Sequence, residues 1–385
     1  MLAVYYRGQV TSRSNFTKAK FGGLQQVSTK SQKEQLMKKN SRYIYIMICL
    51  FAGTNLMHAQ SMQSNDSCSN VLTVAASPNG AGGTNLFAGT IGGGVFRSTD
   101  GGTSWIGVNT GLSDVGIYAL AVSPNGAGRD MDIFAGTEGG VFRSSNSGAS
   151  WTAVDSGLTD TYVYSLTASP NGAGGANLFA GTNGGVFRSS DNGTSWIAVN
   201  TGLATPYVYA LAVSGADLFA GTYNGGVFRS TDGGTTWTAV NRGLANSIVY
   251  ALAVSGADLF AGTNGGVFRS TNNGANWSAV NMGLKAPSVY TLAVSGTNVF
   301  AGTDAGLFLS ANNSKSWIEV DTGLANSGIC ALSACDTNLL AWGTDGGIWK
   351  RPLSELTTSL EGPPTKLPTN SERGGATQTL SIRQQ

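Results

Sequence analysis

Histidine is almost missing from this chain, because His58 is the single histidine among 385 residues. Catalysis by a Ser-His-Asp or Cys-His group uses a histidine as the general base, and many zinc sites use imidazole ligands. Charged side chains are also scarce, at 11% of the residues. The composition therefore excludes histidine-dependent catalysis and histidine metal ligands outside the segment around His58.

Long hydrophobic runs are missing as well. The main one begins at Tyr43 and extends over about a dozen residues, which is too short for a comfortable membrane span. It follows a basic stretch with Lys38, Lys39 and Arg42, and a small residue, Ala59, comes after it. A basic stretch, a short apolar run and a small residue form the pattern of a secretory signal peptide.

We therefore predict a signal segment at 1–59, with Met37 as the true start and cleavage near Ala59. A longer N-terminus with an uncleaved anchor is the alternative. The first prediction implies export to the cell surface or the medium, with the periplasm as a further destination. After cleavage the protein is not expected to be an integral membrane protein.

The predicted signal segment changes the charge balance. It holds nine of the 23 Lys and Arg residues and one of the 21 acidic residues. The remainder thus has 14 basic and 20 acidic residues, a net charge of −6 instead of the +2 of the whole chain. A mildly acidic domain lacks the basic surface that nucleic acid requires. We predict no nucleic-acid partner, no cofactor and no bound metal.

Only three cysteines lie outside the signal segment: Cys68, Cys330 and Cys335. Export would place them in an oxidising compartment, where disulfides persist. Cys68 precedes the first predicted inner strand, and the other two lie on the last one. In a closed ring these strands are neighbours, so a bridge from Cys68 to one of the pair would close the ring. Three buried thiols are the alternative.

A repeat occupies most of the remaining sequence. The tetrapeptide Phe-Ala-Gly-Thr begins at Phe87, Phe134, Phe179, Phe219, Phe260 and Phe300, with spacings of 47, 45, 40, 41 and 40 residues. A degenerate seventh copy begins at Leu340. A period near 40 residues with strand-like segments is typical of β-propellers.

Each repeat predicts four strands. In the copy spanning 249–288 they are 249–255, 259–263, 267–270 and 277–280, because alternating apolar runs are separated by Gly- and Asn-rich turns. Four antiparallel strands repeated seven times predict an all-β, seven-bladed β-propeller. We assign 60–357 to this propeller and 358–385, which is polar and rich in Pro and Thr, to a disordered tail. The fourth strand of blade seven is not evident, and 60–69 or 352–357 are candidates for it.

The turn before the fourth strand carries the most specific motif. Ser98, Asp100, Gly102 and Trp105 recur in register, with Asn in place of Asp in three copies and Ser314 in place of Gly in the last. The corresponding Asp or Asn and Trp residues in the other copies are Asn146, Trp151, Asp191, Trp196, Asp232, Trp237, Asn272, Trp277, Asn312 and Trp317. The motif resembles the Asp-box, or bacterial neuraminidase (BNR) repeat, over 70–351. The repeat is most similar to secreted bacterial proteins like the photosystem II stability/assembly factors, and no photosynthetic role follows from that likeness.

The resemblance implies a structural turn. In Asp-box proteins the Asp accepts hydrogen bonds within the turn, the Gly adopts a positive φ, and the Trp packs between strands. The family includes sialidases and endoglucanases as well as non-catalytic proteins. Sialidases carry an Arg-Ile-Pro motif and an arginine cluster; this sequence lacks the motif, and its arginines occur once per blade at one repeat position. The endoglucanases place two acids between two propellers, whereas this sequence predicts a single propeller.

Departures from the repeat are the candidate ligand-binding residues. Propeller loops between the second and third strands open on one face around the channel, and there Glu138, Asp304 and Asp345 add acids while Tyr223 and Asn224 lengthen a loop. The three acids are candidates for a shared cation or sugar-hydroxyl site, or are solvated turn residues. Tyrosines that start the inner strands are expected to pack between blades, or else to form an aromatic ligand ring; they are Tyr118, Tyr164, Tyr209, Tyr250 and Tyr290.

These observations favour a monomeric, secreted, non-catalytic scaffold that binds a glycan or a cell-surface protein at the channel face. The alternative is a glycoside hydrolase of the sialidase- or endoglucanase-like Asp-box class that uses acids such as Glu138 and Asp304.

Overall fold

A computed structural model of the chain describes the backbone of 47–48 and the residues 71–79, 83–125, 131–171, 175–311, 315–320, 328–335, 337–344 and 348–358. The seven-bladed β-propeller is confirmed: seven antiparallel sheets follow one another along the sequence. The predicted signal segment apart from 47–48, the candidate fourth strand at 60–69, the predicted tail from 359 onward, and Cys68, Asn312 and Asp345 lie outside the described residues.

The strands of each blade run from the channel outward in chain order. The inner strands of blades one to seven are Val71–Pro78, Ile117–Pro124, Val163–Pro170, Val208–Ser214, Val249–Ser255, Val289–Ser295 and Ile329–Cys335. The second strands are Thr84–Thr90, Met131–Thr137, Ala176–Thr182, Asp217–Thr222, Asp258–Thr263, Asn298–Thr303 and Asn338–Gly343.

The outer half of each blade is shorter. The third strands are Gly94–Ser98, Val141–Ser144, Gly185–Ser189, Gly226–Ser230, Gly266–Ser270, Gly306–Ser310 and Ile348–Pro352. The fourth strands of blades one to six are Ile106–Gly107, Thr152–Ala153, Ile197–Ala198, Thr238–Ala239, Ser278–Ala279 and Ile318–Glu319. A further strand, Met47–Ile48, pairs in parallel with the inner strand of blade six.

The repeated Phe-Ala-Gly-Thr segment forms the second strand, which is buried on both faces. Phe134 and Phe219 have no exposed surface. The glycine is required because the next blade approaches it closely: a Cβ on Gly136 would stand 2.6 Å from Cγ1 of Val163. The same approach recurs at Gly221, so the missing side chain at this position lets neighbouring blades pack closely.

The turn between the third and fourth strands, here called the third turn, is closed by its acid. Asp100 Oδ1 accepts hydrogen bonds from the Ser98 hydroxyl at 2.7 Å and from the amides of Thr103 and Ser104 at 3.0 and 2.9 Å. Gly102 has a φ of 89°. Burial acts to raise the pKa of Asp100, but the bonds from Ser104 and Ser98 outweigh it and lower the pKa to about 2.

The tryptophan after the third turn joins neighbouring blades. Trp151 of blade two packs into the hydrophobic cluster of blade one, and its Nε1 donates to the carbonyl of Val108 at 2.7 Å. Equivalent bonds at 2.7 Å join Trp196 to Val154, Trp237 to Val199 and Trp277 to Val240. Blades two to five are therefore each fixed to the preceding blade by a buried indole.

Blade seven departs from this plan. Its described part has three strands, and the suggestion that 352–357 supply a fourth strand is wrong, because Leu353–Thr358 is a short helix. Leu356 of that helix is buried against blade six, together with Val320 and Trp349. The helix thus fills the position that a tryptophan occupies in other blades.

The ring closes between blades seven and one without the standard tryptophan bond. Trp105 donates to Gly102 of its own turn at 3.1 Å and packs edge-on against Trp342, with ring centroids 6.3 Å apart. Lys350 donates to the carbonyl of Gly101 at 2.5 Å. Cys330 and Cys335 are buried, while Cys68 lies outside the described residues, so the disulfide stays a prediction.

Candidate functional site

Six tyrosine rings form a continuous row across blades two to four, here called the tyrosine arc. Its members are Tyr118, Tyr162, Tyr164, Tyr209, Tyr207 and Tyr223. The centroid separations are 5.0 Å for Tyr118–Tyr162, 4.7 Å for Tyr162–Tyr164, 5.0 Å for Tyr164–Tyr209, 5.7 Å for Tyr209–Tyr223 and 6.4 Å for Tyr207–Tyr223. These spacings are those of packed aromatic pairs.

The arc is assembled from three kinds of segment. Tyr118, Tyr164 and Tyr209 are the second residues of their inner strands and are less than a tenth exposed. Tyr162 and Tyr207 lie in the linkers that enter blades three and four, two residues before an inner-strand tyrosine. Tyr223 lies in the lengthened loop of blade four. Since the segments meet only when the blades are side by side, the arc is a product of the ring.

Glu138 is held at one end of the arc. The Tyr118 hydroxyl donates to its Oε1 at 2.5 Å, and the Tyr162 hydroxyl donates to the same oxygen at 3.1 Å. Glu138 remains exposed. In the next blade, Tyr164 donates to Asn183 Oδ1 at 2.7 Å. The loop side chains of blades two and three therefore fix the tyrosine hydroxyls.

The other end of the arc carries its exposed rings. Tyr207 is 45% exposed and Tyr223 is 40% exposed, and their planes are inclined by 84°. The Tyr223 amide donates to the Tyr207 carbonyl at 3.0 Å, which ties the loop to the linker. Asn224 comes next with a φ of 69°, a conformation that asparagine tolerates, and it allows the longer loop to turn.

The buried tyrosines of the arc stay protonated over a wide pH range. Burial raises the pKa of Tyr118, Tyr162 and Tyr164, and hydrogen bonding with Glu138 raises that of Tyr118 further. Burial, together with the proximity of Tyr223 and Tyr207, raises the pKa of Tyr209 to about 12. The arc thus offers neutral aromatic surface with phenolic hydroxyls.

The predicted acids come from different blades of the ring. Glu138 belongs to blade two and Asp304, which is exposed, to blade six, and blades seven and one lie between them. Asp345 lies outside the described residues. Among the residues that the structure describes, no group of three acidic, cysteine or histidine side chains is placed to hold a metal ion.

The repeated arginines face neighbouring turns rather than a common point. Arg97 donates to the Ser147 carbonyl in the third turn of the next blade at 2.8 Å, and Arg143 and Arg188 make equivalent bonds. Arg229 pairs instead with Asp217 at 2.6 Å, and Arg269 pairs with Asp258. These contacts connect blades or strands and do not form an arginine cluster.

A cavity of about 390 Å³ lies along the channel, and its described lining carries no charged side chain. At one register position all seven inner strands present a small residue, namely Ala75, Ala121, Thr167, Ala212, Ala253, Ala293 and Ser333. Methyl and hydroxyl groups supply no general acid or base of suitable pKa. None of the described lining residues is aromatic, and the tyrosine arc is not part of this lining.

No described helix is long and apolar enough to cross a membrane. No family model and no curated protein matches the chain. Among solved structures, it is similar to YCF48 bound to D1 peptide, with 17% identity, a TM-score of 0.55, and coverage of 70% of this chain and 89% of that one.

Two longer proteins share the fold. The extracellular domain of BT4673 from B. thetaiotaomicron is 18% identical with a TM-score of 0.58, covering 78% of this chain and 41% of that one. An ancestral GH74 enzyme is 22% identical with a TM-score of 0.58, and the match covers 76% of this chain and 46% of that one. This chain therefore spans less than half of each. At these identities the likeness shows the β-propeller fold alone.

The sequence identifies some residues of the site directly, but not all of them. Glu138, Tyr223 and Asn224 are departures from the repeat, and the structure places them beside the arc. Tyr162 and Tyr207 lie on the loops expected to open at the channel mouth, but they are not among the residues predicted to bind a ligand. Their signal was available, because Tyr-Val-Tyr occurs at the start of the inner strands of blades three and four alone.

Proposed function

We propose that this protein is a non-catalytic binding module that holds a glycan or a protein at its channel face, on the tyrosine arc. The observation that carries the proposal is the asymmetry of the ring. A structural repeat would place equivalent tyrosines in every blade, whereas linker tyrosines occur only at blades three and four and the inserted Tyr223 only in blade four. Departures from local regularity commonly mark functional sites.

The surroundings of the arc support binding rather than hydrolysis. Glycosidases place two carboxyl groups roughly 5–10 Å apart. At the described arc, Oε1 of Glu138 already accepts two hydrogen bonds, and the nearby Asp114 and Asp160 accept from backbone amides of the loops. Asp304 belongs to blade six, elsewhere in the ring. The structure of YCF48 contains a bound peptide, which shows that a propeller of this fold can bind a partner.

The proposal is tested by binding of the purified protein to glycan, polysaccharide and peptide arrays. We expect a hit that is lost in the variant Tyr207→Ala/Tyr223→Ala and kept in Met282→Ala, which removes another exposed side chain. Turnover of a bound glycan that stops in Glu138→Gln would instead establish the hydrolase. Blank arrays with a folded protein would contradict the proposal.

We further propose that the protein is exported. The support is the signal-like pattern at 1–59 and the extracellular location of the BT4673 domain. Mass spectrometry of the protein from the cell envelope and medium should give an N-terminus near residue 60. A chain that retains 1–59 in the cytoplasm would contradict export without affecting the binding proposal.

A further inference from the structure

The chemistry around the tyrosine arc restricts the class of ligand. We infer that the arc binds an uncharged oligosaccharide chain, with sugar rings against Tyr207 and Tyr223 and hydroxyl groups near Glu138 and Asn183. This assignment of a ligand class rests on the proposed binding function of the arc.

The exposed end of the arc suits a ring that has apolar faces and polar edges. Tyr207 and Tyr223 stand almost perpendicular, at 84°, so one ring can offer its face where the other offers its edge. Both are more than a third exposed, and both have a hydroxyl at the tip. A pyranose presents C–H groups on its faces and hydroxyls around its edge, which complements an aromatic body with a polar tip.

The other end of the arc offers hydrogen-bonding atoms of both kinds. Both tyrosine bonds to Glu138 use Oε1, and its Oε2 has no partner among the described residues. Tyr164 uses Oδ1 of Asn183, which leaves the amide Nδ2 without a partner in the same part of the chain. A carboxylate oxygen accepts and an amide nitrogen donates, and a sugar hydroxyl can do either.

Charge argues against an anionic ligand. The loops around the arc carry Glu138, Asp114 and Asp160. Asp114 accepts from the amides of Gly116 and Gly139, and Asp160 accepts from that of Tyr162, so these acids serve the loops. Among described residues, no lysine or arginine stacks on a ring of the arc. A carboxylated, sulfated or phosphorylated ligand would therefore meet the like charge of Glu138.

Backbone bonding argues against a peptide that adds as a strand. Strand addition requires unpaired main-chain groups along an exposed edge. In the loops of the arc the amides are already engaged: Gly139 with Asp114 and Thr137, and Gly184 with Thr182. The Tyr223 amide is bound by Tyr207. These three amides are therefore not free to pair with an added strand, whereas a glycan needs no main-chain partner.

The extent of the arc indicates an oligosaccharide. The six rings reach across three blades, from Glu138 in blade two to Tyr223 in blade four. A single sugar can touch only one end of this row. A chain of several sugars can occupy both ends at once, and linked contacts raise affinity beyond that of either end.

The experiment is calorimetric titration of the whole protein with neutral gluco-, xylo-, manno- and galacto-oligosaccharides of one to six units. The charged counterparts are oligogalacturonate, sialyllactose and heparin fragments, and a cationic peptide library is the third probe. We expect one neutral series to bind, with affinity rising at least about tenfold from one unit to four. Because the ligand is uncharged, its Kd should change less than about twofold between roughly 50 and 500 mM NaCl.

Variants locate the site. Tyr207→Ala and Tyr223→Ala should each weaken the neutral ligand at least about tenfold, Glu138→Gln severalfold, and Met282→Ala not at all, with thermal melts as the control for folding. Salt-sensitive binding of peptides or anionic glycans that is lost in the tyrosine variants would overturn this inference and keep the proposed function. Binding unaffected by all arc variants, or no binding by any probe, would overturn both.

Discussion

Individual side chains in the third turns show how one acid can organise a short segment of backbone. In blade one Asp100 receives bonds from a hydroxyl and two amides through Oδ1, and from the Ser104 hydroxyl through Oδ2 at 2.6 Å. In blade two Asn146 accepts from Ser144 and from the amide of Ser150 with its Oδ1 and donates through its amide. The turn therefore needs an acceptor at this position more than it needs a charge.

Substitution of Asp100 separates these two requirements. Asp100→Ala should lower the free energy of unfolding by about 1–3 kcal/mol, because amides of the turn lose their acceptor. Asp100→Asn should cost less than about 1 kcal/mol, since asparagine serves in blade two. Urea unfolding at neutral pH measures both. Equal losses for the two variants would show that the charge itself is essential.

The lowered pKa of Asp100 gives the turn a defined pH dependence. Its pKa falls from 3.8 to about 2 in the folded protein, so its contribution is complete above pH 3.8. The contribution is lost as the pH falls through about 2, because the unfolded state takes up the proton first. The difference in melting temperature between the wild type and Asp100→Asn should therefore narrow from about pH 5 to about pH 2. A constant difference would contradict this assignment.

Among the elements, the blades differ in how they are joined. Trp237 donates to the Val199 carbonyl of the preceding blade, whereas Trp105 of blade one bonds within its own turn. The difference arises from blade seven, whose described part ends in the helix Leu353–Thr358 instead of a fourth strand. At the interface between blades seven and one, the described residues therefore supply no carbonyl equivalent to that of Val199.

A pair of tryptophan variants measures this difference. Trp237→Phe keeps an aromatic ring but leaves the buried Val199 carbonyl without its donor, so we expect a loss of about 1–2 kcal/mol. Trp105→Phe should lose less than about 1 kcal/mol, because its partner lies in a partly exposed turn. Chemical denaturation of both variants compares them directly. A larger loss for Trp105→Phe would show that the seam depends on its indole.

The packing of the helix Leu353–Thr358 is also open to a direct test. Leu356 is 5% exposed and packs with Val320 and Trp349, where other blades use a tryptophan. Leu356→Ala should cost about 2–3 kcal/mol, as for other buried leucines. Leu353→Ala is the matched control, because Leu353 is only partly buried, and we expect a smaller loss. Equal melting curves for wild type and Leu356→Ala would show that the helix does not stabilise the propeller.

For the molecule as a whole, the seam between blades seven and one is the least regular interface. It is held by the Trp105–Trp342 contact and by the bond from Lys350 to the Gly101 carbonyl. Burial lowers the pKa of Lys350, so placing its charge there has a desolvation cost. The described interfaces from blade one to blade six repeat a tryptophan bond to the preceding blade. Local opening free energies vary in this way across many folds.

Hydrogen exchange should reveal the seam as the first region to open. Amides of the inner strands Val71–Pro78 and Ile329–Cys335 are expected to exchange faster than those of Val208–Ser214, which lies between two regular interfaces. Exchange detected by mass spectrometry resolves these three peptides. Uniform protection around the ring would contradict this expectation and would be consistent with an additional clamp, such as the predicted disulfide.

The sequence by itself determined the architecture. The spacing of Phe-Ala-Gly-Thr, the alternation within 249–255 and the Gly-rich turns fix strands locally, and seven copies of one local pattern leave few folds available. The positions of Glu138, Tyr223 and Asn224 were also evident, because an irregular residue is visible against a regular repeat.

Only the tertiary structure decided which irregular residues meet. Tyr162 lies 24 positions after Glu138, and the rings of Tyr164 and Tyr209 come from different blades, so their contacts depend on how the blades are arranged. The same holds for Trp151, whose acceptor is 43 positions away. Local patterns determine strands because they act within a few residues of backbone. Packing between segments distant in sequence determines the arc, the positions of Glu138 and Asp304 on different blades, and the contacts of the helix Leu353–Thr358.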